Sequence, residues 1–379
     1  MRPNVVVVGC GVVGAMIAYE LTRQLDVEVT VLERHDPAQG STGAALGVLM
    51  GIISHKVKGR TWRLREASVR RYKTLIAELA DQGEVVPFNA HGIVSLCFDE
   101  GKIPRWQTLR EKRAAQGWPL EIWSSAELKE RCPQVALESV VVGADGQDAV
   151  RAVKAAVYSP ADGQVHPADL VRSLIAMATN QGVCFRSNVE VAGLAMEGGR
   201  CVGVRTSDGD VPADWVVVSA GLGSAVLTQA GNDPLALMPV LGQAMEIQLP
   251  NVLGDVAFQP VINGDDIQFV PLGDGRYWLG ATVEFPEGEG PFPEQLEADA
   301  QGIENLQRGA ARFCEAIAQA KVLRSWSGLR PRPVGQPAPV IKPLAGAENV
   351  TLATGHYRNG VLLAPATAQQ VCELLKTAL

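Results

Sequence analysis

The hydrophobic pattern at the start of the chain predicts a strand, a helix and a second strand in close succession. Four valines at residues 5–8 form a short apolar run, as in a buried parallel strand. Apolar residues then recur at helical spacing at Val13, Ile17 and Leu21, and a second strand is predicted over residues 27–32. This succession predicts the beginning of a parallel α/β sheet.

The turn after the first predicted strand carries Gly9, Gly11 and Gly14 in the spacing G-x-G-x-x-G. The first glycine permits a tight turn, the second lets a pyrophosphate approach the backbone, and the third lets the helix pack on the strand. Glu33 follows the second strand, nineteen residues after Gly14, where it can accept hydrogen bonds from a ribose. The unit therefore predicts a dinucleotide site, with the phosphates at the helix N-terminus.

The uncharged run after Arg2 also suits the core of a signal peptide. Against that interpretation, no A-x-A-like cleavage site follows, and the run continues into a charged amphipathic helix.

The rest of the chain alternates between helical and strand-like patterns. Small residues at 41–48 predict a turn opening a helix, and the segment Trp326–Pro333 is rich in proline and predicts irregular structure. In the helix predicted over residues 62–82, the arginines are expected opposite the apolar side. Further helices are predicted over 104–117, 124–131, from Pro167, within 294–320 and from about Leu363. Strands are predicted over 91–98, 140–142, 183–186, 189–194, 201–206, 215–218, 241–249, 268–271, 277–283 and 350–354, with a Gly/Asp loop after Val142 and a hairpin turn at Asp274-Gly275.

The apolar run before Gly221 predicts another strand of the first sheet, which makes the first domain discontinuous. We predict an α/β protein (α+β overall), with a Rossmann-like domain on a parallel sheet and a substrate domain on a mixed or antiparallel sheet. The predicted ranges are 1–85, 150–225 and 322–379 for the cofactor domain, and 86–149 and 226–321 for the substrate domain.

Composition narrows the classes of partner. The chain has 379 residues, 47% of them hydrophobic, and a formal net charge of −7. The charge and the lack of long basic runs argue against nucleic acid and against an anionic membrane surface. No run reaches the length of a transmembrane helix. Seven scattered cysteines without a C-x-x-C motif predict a reduced, cytoplasmic protein, and five histidines show no metal-ligand spacing.

Four blocks of sequence resemble the D-amino acid oxidase family of FAD enzymes over nearly the whole chain. Within that family, the chain is most similar to the glycine oxidases of the thiamine-biosynthesis type. The blocks are the glycine turn with Glu33, the segment Ser41-Thr42-Gly43-Ala44-Ala45, the segment Trp326-x-Gly328-Leu329-Arg330-Pro331, and residues 355–365, GHYRNGVLLAP. The last block is the most specific, whereas many flavin and nicotinamide enzymes share the first.

The resemblance implies bound FAD and a set of contacts to it. The implied cofactor residues are Gly9, Gly11, Val12, Val13, Gly14, Glu33, Arg34, Ser41, Thr42, Ala44, Ala45, Leu46, Gly47, Val48, Val189, Gly221, His356, Arg358, Asn359, Gly360, Val361 and Leu362. Arg330, Arg358 and Tyr357 are the implied catalytic residues, with the two arginines meeting the substrate. No metal is implied.

The chain departs from the family pattern in two places. Relatives with covalent FAD carry a cysteine shortly after the G-L-R-P block, where this chain has residues 333–336, PVGQ, so non-covalent FAD is implied. Family members usually place a substrate tyrosine just before the V-P of the substrate sheet, where Gln268 and Phe269 stand here. Simple glycine specificity is therefore not implied.

The resemblance implies oxidation of a small amino acid or secondary amine, with hydride transfer to the flavin and O2 as acceptor. A guanidinium such as that of Arg330 can hold a carboxylate bidentately. A flavin-dependent amino acid or 2-hydroxyacid dehydrogenase with another acceptor is a second interpretation, and a non-catalytic dinucleotide-binding protein is a third. Substrate identity and homo-oligomeric assembly are left open.

Overall fold

The fold is known from a computed structural model, which describes residues 2–142, 148–285 and 297–378. The strands are β1 (Asn4–Val8), β2 (Glu28–Leu32), β3 (Val48–Leu49), β4 (Phe88–Asn89), β5 (Ile93–Cys97), β6 (Glu121–Trp123), β7 (Glu138–Val142), β8 (Asp148–Ala152), β9 (Ala155–Ser159), β10 (Gly163–Val165), β11 (Cys184–Arg186), β12 (Val191–Glu197), β13 (Arg200–Thr206), β14 (Gly209–Pro212), β15 (Trp215–Val218), β16 (Leu237–Gln248), β17 (Val261–Gly264), β18 (Ile267–Gly273), β19 (Arg276–Gly280), β20 (Lys321–Pro333), β21 (Val340–Leu344) and β22 (Ala347–Thr354). The α-helices are α1 (Val12–Gln24), α2 (Gly59–Asp81), α3 (Ile103–Ala115), α4 (Ser125–Arg131), α5 (Pro167–Asn180), α6 (Ser224–Leu227), α7 (Ala300–Ala311) and α8 (Gly360–Ala378).

The first of two main layers is a parallel sheet with the strand order β11-β2-β1-β15-β22-β21 within the described residues. All neighbours pair in parallel except β21, which pairs antiparallel with β22. The valines of β1 are buried because helices α1, α2, α5 and α8 pack on one face of this sheet, while the small sheet β12-β13-β14 packs near the other. The predicted β–α–β unit is therefore confirmed.

The second layer is a large mixed sheet with the order β20-β16-β19-β18-β17-β5-β9-β6 among the described residues. Its neighbours pair antiparallel apart from β17 and β5, which are parallel. One face packs on α7 and α4, and the other lies against residues 44–57 and α3. The predicted fold class, a Rossmann-like sheet with a second mixed sheet, is confirmed.

The parallel sheet follows the predicted domain ranges, and the large mixed sheet follows them only in part. Strands of the parallel sheet come from the cofactor ranges, as expected from a discontinuous domain. The large mixed sheet also takes β9 and β20 from ranges that were given to the cofactor domain. The domain boundaries themselves stay a prediction.

The prediction of irregular structure for Trp326–Pro333 is wrong, because this segment forms the second half of strand β20. It pairs along β16, with Pro331 opposite Pro239. Strand β20 is at the edge of the sheet, where a proline without an N–H group costs no ladder hydrogen bond on the outer side. The proline-based prediction failed because sequence alone does not show which strand is an edge.

The prediction of a helix opening in residues 41–48 is also wrong. This stretch forms hydrogen-bonded turns, among them Gly43 N–H to Gly40 carbonyl, and then enters strand β3. The predicted Gly/Asp loop after Val142 and residues 294–296 of a predicted helix lie outside the described residues.

Candidate active site

Five parallel strands end at one edge of the parallel sheet, and residues predicted to bind the cofactor follow each of them. Because neighbouring strands run in the same direction, their carboxyl ends lie side by side. Ligands of such sheets bind in the crevice beyond these ends. In the order β11, β2, β1, β15 and β22, the residues that follow are Val189, Glu33 with Arg34, the turn Gly9–Gly14, Gly221, and the stretch His356–Leu362.

Packing accounts for the glycines of the turn after β1. Gly9 has φ +94°, and a Cβ there would lie 2.8 Å from the backbone that follows β15. A Cβ on Gly14 would lie 1.9 Å from the carbonyl oxygen of Gly9, so only glycine lets α1 approach the strand. Gly11 is the N-cap of α1, and Thr42 Oγ1 accepts a hydrogen bond from the N–H of Val12 at 3.0 Å. A helix N-terminus framed in this way suits a phosphate.

The carboxylate of Glu33 is tied to the same turn. Its oxygens accept hydrogen bonds from the N–H of Cys10 at 2.6 Å and of His35 at 3.2 Å. The N–H of Val189 donates to the carbonyl of Glu33 at 2.9 Å. Two predicted cofactor positions are thus joined directly, while Arg34 is exposed beside them.

Residues 41–48, the linking segment, connect the crevice with the large mixed sheet. Ser41 Oγ donates a hydrogen bond to the carbonyl of Leu329 at 2.6 Å. Trp326 Nε1 donates to the carbonyl of Ala44 at 3.1 Å. Residues predicted to contact the flavin therefore lie directly on β20, the strand that carries Arg330.

Small residues of the mixed sheet make room for the linking segment. A Cβ on Gly328 would lie 2.3 Å from that of Ala44, and a Cβ on Gly280 would lie 2.9 Å from a methyl carbon of Leu46. The end of the segment is held by β10, since Gln164 Nε2 donates to the carbonyl of Leu46 at 3.0 Å. At the remaining predicted positions, Ala45 donates its N–H to Thr42, Gly47 has φ +73°, and Val48 pairs with Gln164.

One face of the large mixed sheet, here called the site face, is covered by the linking segment and the loop after it. The strand register places six residues in one row across it, because cross-strand partners share a face. The row is Ser95, Asn263, Gln268, Gly280, Ala244 and Trp326. Alternation along β20 puts Arg330 on this same face, four residues beyond Trp326.

The guanidinium of Arg330 lies flat over the backbone of β16. Its Nη1 donates to the carbonyl of Leu241 at 2.9 Å, and a Cβ on Gly242 would lie 2.0 Å from its Nη2. Burial lowers the pKa of Arg330, and the positive charge of Arg358 lowers it further. A partly buried cation close to a second cation gains from an anionic ligand, and the planar fork matches a carboxylate.

Tyr357 and Arg358 adjoin strand β20, where Arg332 lies over the ring of Tyr357. Arg358 Nη2 is 3.8 Å from a carboxylate oxygen of Asp266, and their side chains are 38% and 80% exposed, so this pair is weak. Tyr357 has φ +54°, and the guanidinium of Arg332 is 5.5 Å from its ring centroid. Left-handed backbone at a bulky residue is uncommon and clusters at functional sites.

The side chain of His356 points into α8 and away from the crevice. Burial lowers the pKa of His356 to about 3, and the charge of Arg60 adds to this effect, so the ring is neutral. Its Nε2 is 2.9 Å from Thr367 Oγ1, and that hydroxyl donates to the carbonyl of Leu363. His356 Nε2–H is therefore the donor, and its backbone is the part left for the crevice.

Arg65, for which the sequence predicts no role, connects the residues after β3 with Asn359, a predicted cofactor position. It was expected among arginines opposite the apolar side of a helix, but it is 9% exposed. Its Nη1 donates to the carbonyl of Met50 at 2.5 Å, and its Nη2 donates to Asn359 Oδ1 at 3.0 Å. Tyr72, from the same helix α2, donates a hydrogen bond from its hydroxyl to the carbonyl of Val361 at 2.6 Å. Arg65 shares its helix face with Tyr72, a spacing that could have indicated burial.

Residues 50–57, here called the bound loop, have no helix or strand, yet buried side chains bind their backbone. Asp162 accepts three hydrogen bonds of 2.8 Å, from the N–H groups of Gly51, Ile52 and Ile53. Arg113 donates to three carbonyls at 2.7, 2.7 and 3.0 Å, those of Ile52, Ser54 and Lys56. Asp162 is 4% exposed and Arg113 is fully buried. Sequence reasoning missed both residues, because their partners are distant in the chain.

The site is organised around cations and backbone donors. Within residues 2–142, 148–285 and 297–378, no group of histidines, cysteines and acidic residues could hold a metal ion. In the same residues, no helix combines the length and apolarity needed to cross a membrane.

A protein-family model, described as DAO: FAD dependent oxidoreductase, matches residues 4–374. Among curated proteins, the bifunctional protein ThiO/ThiG of Trichormus variabilis is 30% identical over 99% of this chain. This chain spans about half of that relative, 53% of its length. The glycine oxidase of Pseudomonas putida is 29% identical over 100% of this chain and 96% of its own length.

Solved structures are similar over almost the whole chain. The crystal structure of glycine oxidase from Geobacillus kaustophilus has a TM-score of 0.84 and 27% identity, covering 99% of this chain and 95% of that one. Iminodiacetate oxidase from Chelativorans has a TM-score of 0.82 at 23% identity, covering 98% and 95%, and at that identity the likeness concerns the fold.

Proposed function

The chain belongs to the DAO family of FAD-dependent oxidoreductases, and from this premise we propose that it oxidises a small amino acid or secondary amine. The proposed reaction removes two electrons and two protons from the H–C–N–H unit of the substrate and leaves an imine, which water hydrolyses to a 2-oxo acid and ammonia or an amine. Non-covalently held FAD would supply the two-electron acceptor, and O2 is the proposed final acceptor, which would give H2O2.

The observation that carries the proposal is the state of Arg330. Its guanidinium is partly buried, its pKa is lowered by burial and by the charge of Arg358, and it shares the site face with the contacts of the linking segment. A carboxylate would neutralise this excess of positive charge and accept two parallel hydrogen bonds. An amino acid carries such a carboxylate one bond from the carbon that is oxidised.

The crevice fits FAD by its shape and its donors. Gly9 and Gly14 leave the glycine turn without side chains, and the N-terminus of α1 faces the crevice beyond β1. Glu33 has further acceptor capacity for ribose hydroxyls in addition to its two backbone hydrogen bonds. The absence of cysteine from residues 333–336 supports non-covalent binding.

When bound, FAD supplies a two-electron acceptor, and the protein supplies orientation and desolvation. Arg330 would hold the carboxylate, which fixes the Cα–H direction. Leu46 and Ile53 pack on the site face, and their apolar side chains exclude water from it. Because an apolar environment disfavours the charged form of an amine, it favours the neutral amine that must form before oxidation. The N-terminus of α8 and the charge of Arg358 would stabilise negative charge near the cofactor.

Seven free thiols support the proposal that the protein works in the reducing cytoplasm. The proposed partners are the small-molecule substrate and O2.

The proposal is tested on purified protein by its absorption spectrum and by anaerobic bleaching. We expect a yellow protein whose colour moves into the supernatant on acid precipitation. Under argon, glycine, sarcosine or a D-amino acid should bleach it, and hydroxy acids should not. Bleaching by hydroxy acids alone would favour a 2-hydroxyacid dehydrogenase, and a colourless protein that binds NAD would contradict the proposal. Reoxidation by air with stoichiometric H2O2 separates an oxidase from a dehydrogenase.

Glu33→Ala should reduce FAD retention, because the ribose loses its proposed acceptor. The flavin-to-protein ratio after gel filtration measures this loss. Glu28→Ala, at the exposed start of β2, the strand that Glu33 follows, is the matched control and should keep the wild-type ratio. Equal ratios in the two variants would show that Glu33 does not bind the ribose.

A further inference from the structure

The site face contains a buried hydrogen-bond acceptor that has no partner among the described residues. It is Oε1 of Gln268, on strand β18. A buried polar atom left unpaired is costly, and most such atoms in proteins have a partner. At the place where a substrate would bind, an unpaired acceptor indicates a donor group on the ligand.

The thioether of Met50 orients the Gln268 amide, because a sulfur that can only accept favours Nε2 over Oε1 on its side. Gln268 Nε2 donates to Asn263 Oδ1 at 2.8 Å, and Asn263 Nδ2 donates to Ser95 Oγ at 3.0 Å. Nε2 is also 3.5 Å from Sδ of Met50, in the bound loop. Both N–H groups of the amide therefore have acceptors, and the oxygen faces the remaining direction.

Gln268 and the guanidinium of Arg330 frame the same part of the site face. The guanidinium lies over Gly242 on β16, and Gln268 is two strands away across Gly280. Two strand spacings and two residues correspond to about 12 Å between the Cα atoms of Gly242 and Gln268. Leu46 of the linking segment packs on Gly280 between them, so a ligand with an anionic group at one end and a donor at the other would lie against this side chain.

We propose that Gln268, oriented by Asn263 and Ser95, accepts a hydrogen bond from the substrate nitrogen and selects amines that carry an N–H. The inference rests on the proposed function and specifies its substrate class as primary and secondary α-amino acids. A neutral amine that donates one N–H to Oε1 has its rotation about the C–N bond fixed. Its lone pair is then aligned with the Cα–H bond that breaks. A neutral tertiary amine has no N–H and leaves the acceptor unpaired.

The test compares Gln268→Leu with wild-type holoenzyme in anaerobic stopped-flow flavin reduction. The substrates are glycine, sarcosine and N,N-dimethylglycine, which differ in the number of N–H groups. Wild type should reduce its flavin at least tenfold more efficiently with the first two than with the third. In Gln268→Leu, the efficiency for glycine and sarcosine should fall about tenfold to a hundredfold, and the preference over N,N-dimethylglycine should fall to within about threefold.

Two further measurements separate this role from a structural one. Acetate, which has a carboxylate and no amine, should perturb the flavin spectrum of Gln268→Leu with wild-type affinity. Gln248→Leu, a glutamine at the far end of β16 whose amide donates to the carbonyls of Leu249 and Asp274, is the matched control and should keep the full preference.

The outcomes are distinct. If wild type is reduced by amines and Gln268→Leu keeps the preference against N,N-dimethylglycine, this inference is wrong while the proposed function stands. A loss of acetate binding in Gln268→Leu would also overturn it, because the residue would then serve the carboxylate or the fold. If no amine reduces the wild-type flavin, the proposed function is wrong and the inference falls with it.

Discussion

Replacing Arg330 with alanine is expected to lower kcat/KM for amino acids by roughly thirtyfold to a thousandfold. Loss of a charge-assisted bidentate pair costs on the order of 2–4 kcal/mol, which corresponds to that range. The guanidinium is already held by the carbonyl of Leu241, so little side-chain entropy is lost on binding. If it holds the carboxylate equally in the ground and transition states, KM rises; if its contacts strengthen during oxidation, kcat falls as well.

Two further variants test whether the fork and the position of the Arg330 guanidinium matter in addition to its charge. Arg330→Lys keeps the charge but lacks the fork, so it should recover part of the activity. Gly242→Ala places a methyl group where Nη2 lies, because a Cβ there would be 2.0 Å away, so it should weaken carboxylate binding without removing the charge. Simple amines without a carboxylate serve as control substrates and should respond little. If Arg330→Ala affects amines and amino acids alike, or changes kcat/KM for amino acids by less than about threefold, Arg358 becomes the candidate anchor.

Replacing Asp162 with alanine is expected to destabilise the fold by about 3–5 kcal/mol, because three buried N–H groups lose their acceptor. Burial raises the pKa of Asp162, and the three N–H donors oppose that shift. Asp162→Asn keeps the shape but presents an NH2 group to one of the donors, so it should cost less. At roughly 2 °C per kcal/mol for a chain of this size, the alanine variant should melt about 6–10 °C below wild type.

Thermal melting of the holoenzyme, followed by tryptophan fluorescence, measures the effect. Asp81→Ala at the exposed end of α2 is the control, and it should melt within about 1 °C of wild type. Equal melting of Asp162→Ala and wild type would mean that water replaces the carboxylate at no cost.

The sequence predicted those parts of the fold whose signals are local. The β1–α1–β2 unit was readable because the glycine spacing, the helical pattern and Glu33 fall within about thirty residues. The helix over residues 59–81 was also readable from its period, although its polar side was misjudged at Arg65. Family membership came from short blocks, and the comparisons confirmed it.

The features that the sequence did not predict depend on contacts between residues that are distant in the chain. The prolines of Trp326–Pro333 signalled a break, but an edge strand tolerates them. Asp162 and Arg113 gave no signal because their partners lie 109–111 and 57–61 positions away. The register that places Gln268 and Arg330 on one face likewise follows from strand pairing, which neither residue's neighbours in the chain reveal.

The bound loop has a consequence for engineering the chain. Surface connections between secondary-structure elements usually accept inserted residues at little cost, since lengthening a flexible loop changes its closure entropy only slightly. Here, by contrast, Asp162 binds three successive N–H groups from residue 51 and Arg113 binds the carbonyls of residues 52, 54 and 56, so one inserted residue would move the groups that follow it away from these partners. The exposed Gly198-Gly199 turn between β12 and β13, where added side chains would meet open space, is the better place for a tag or a fused domain.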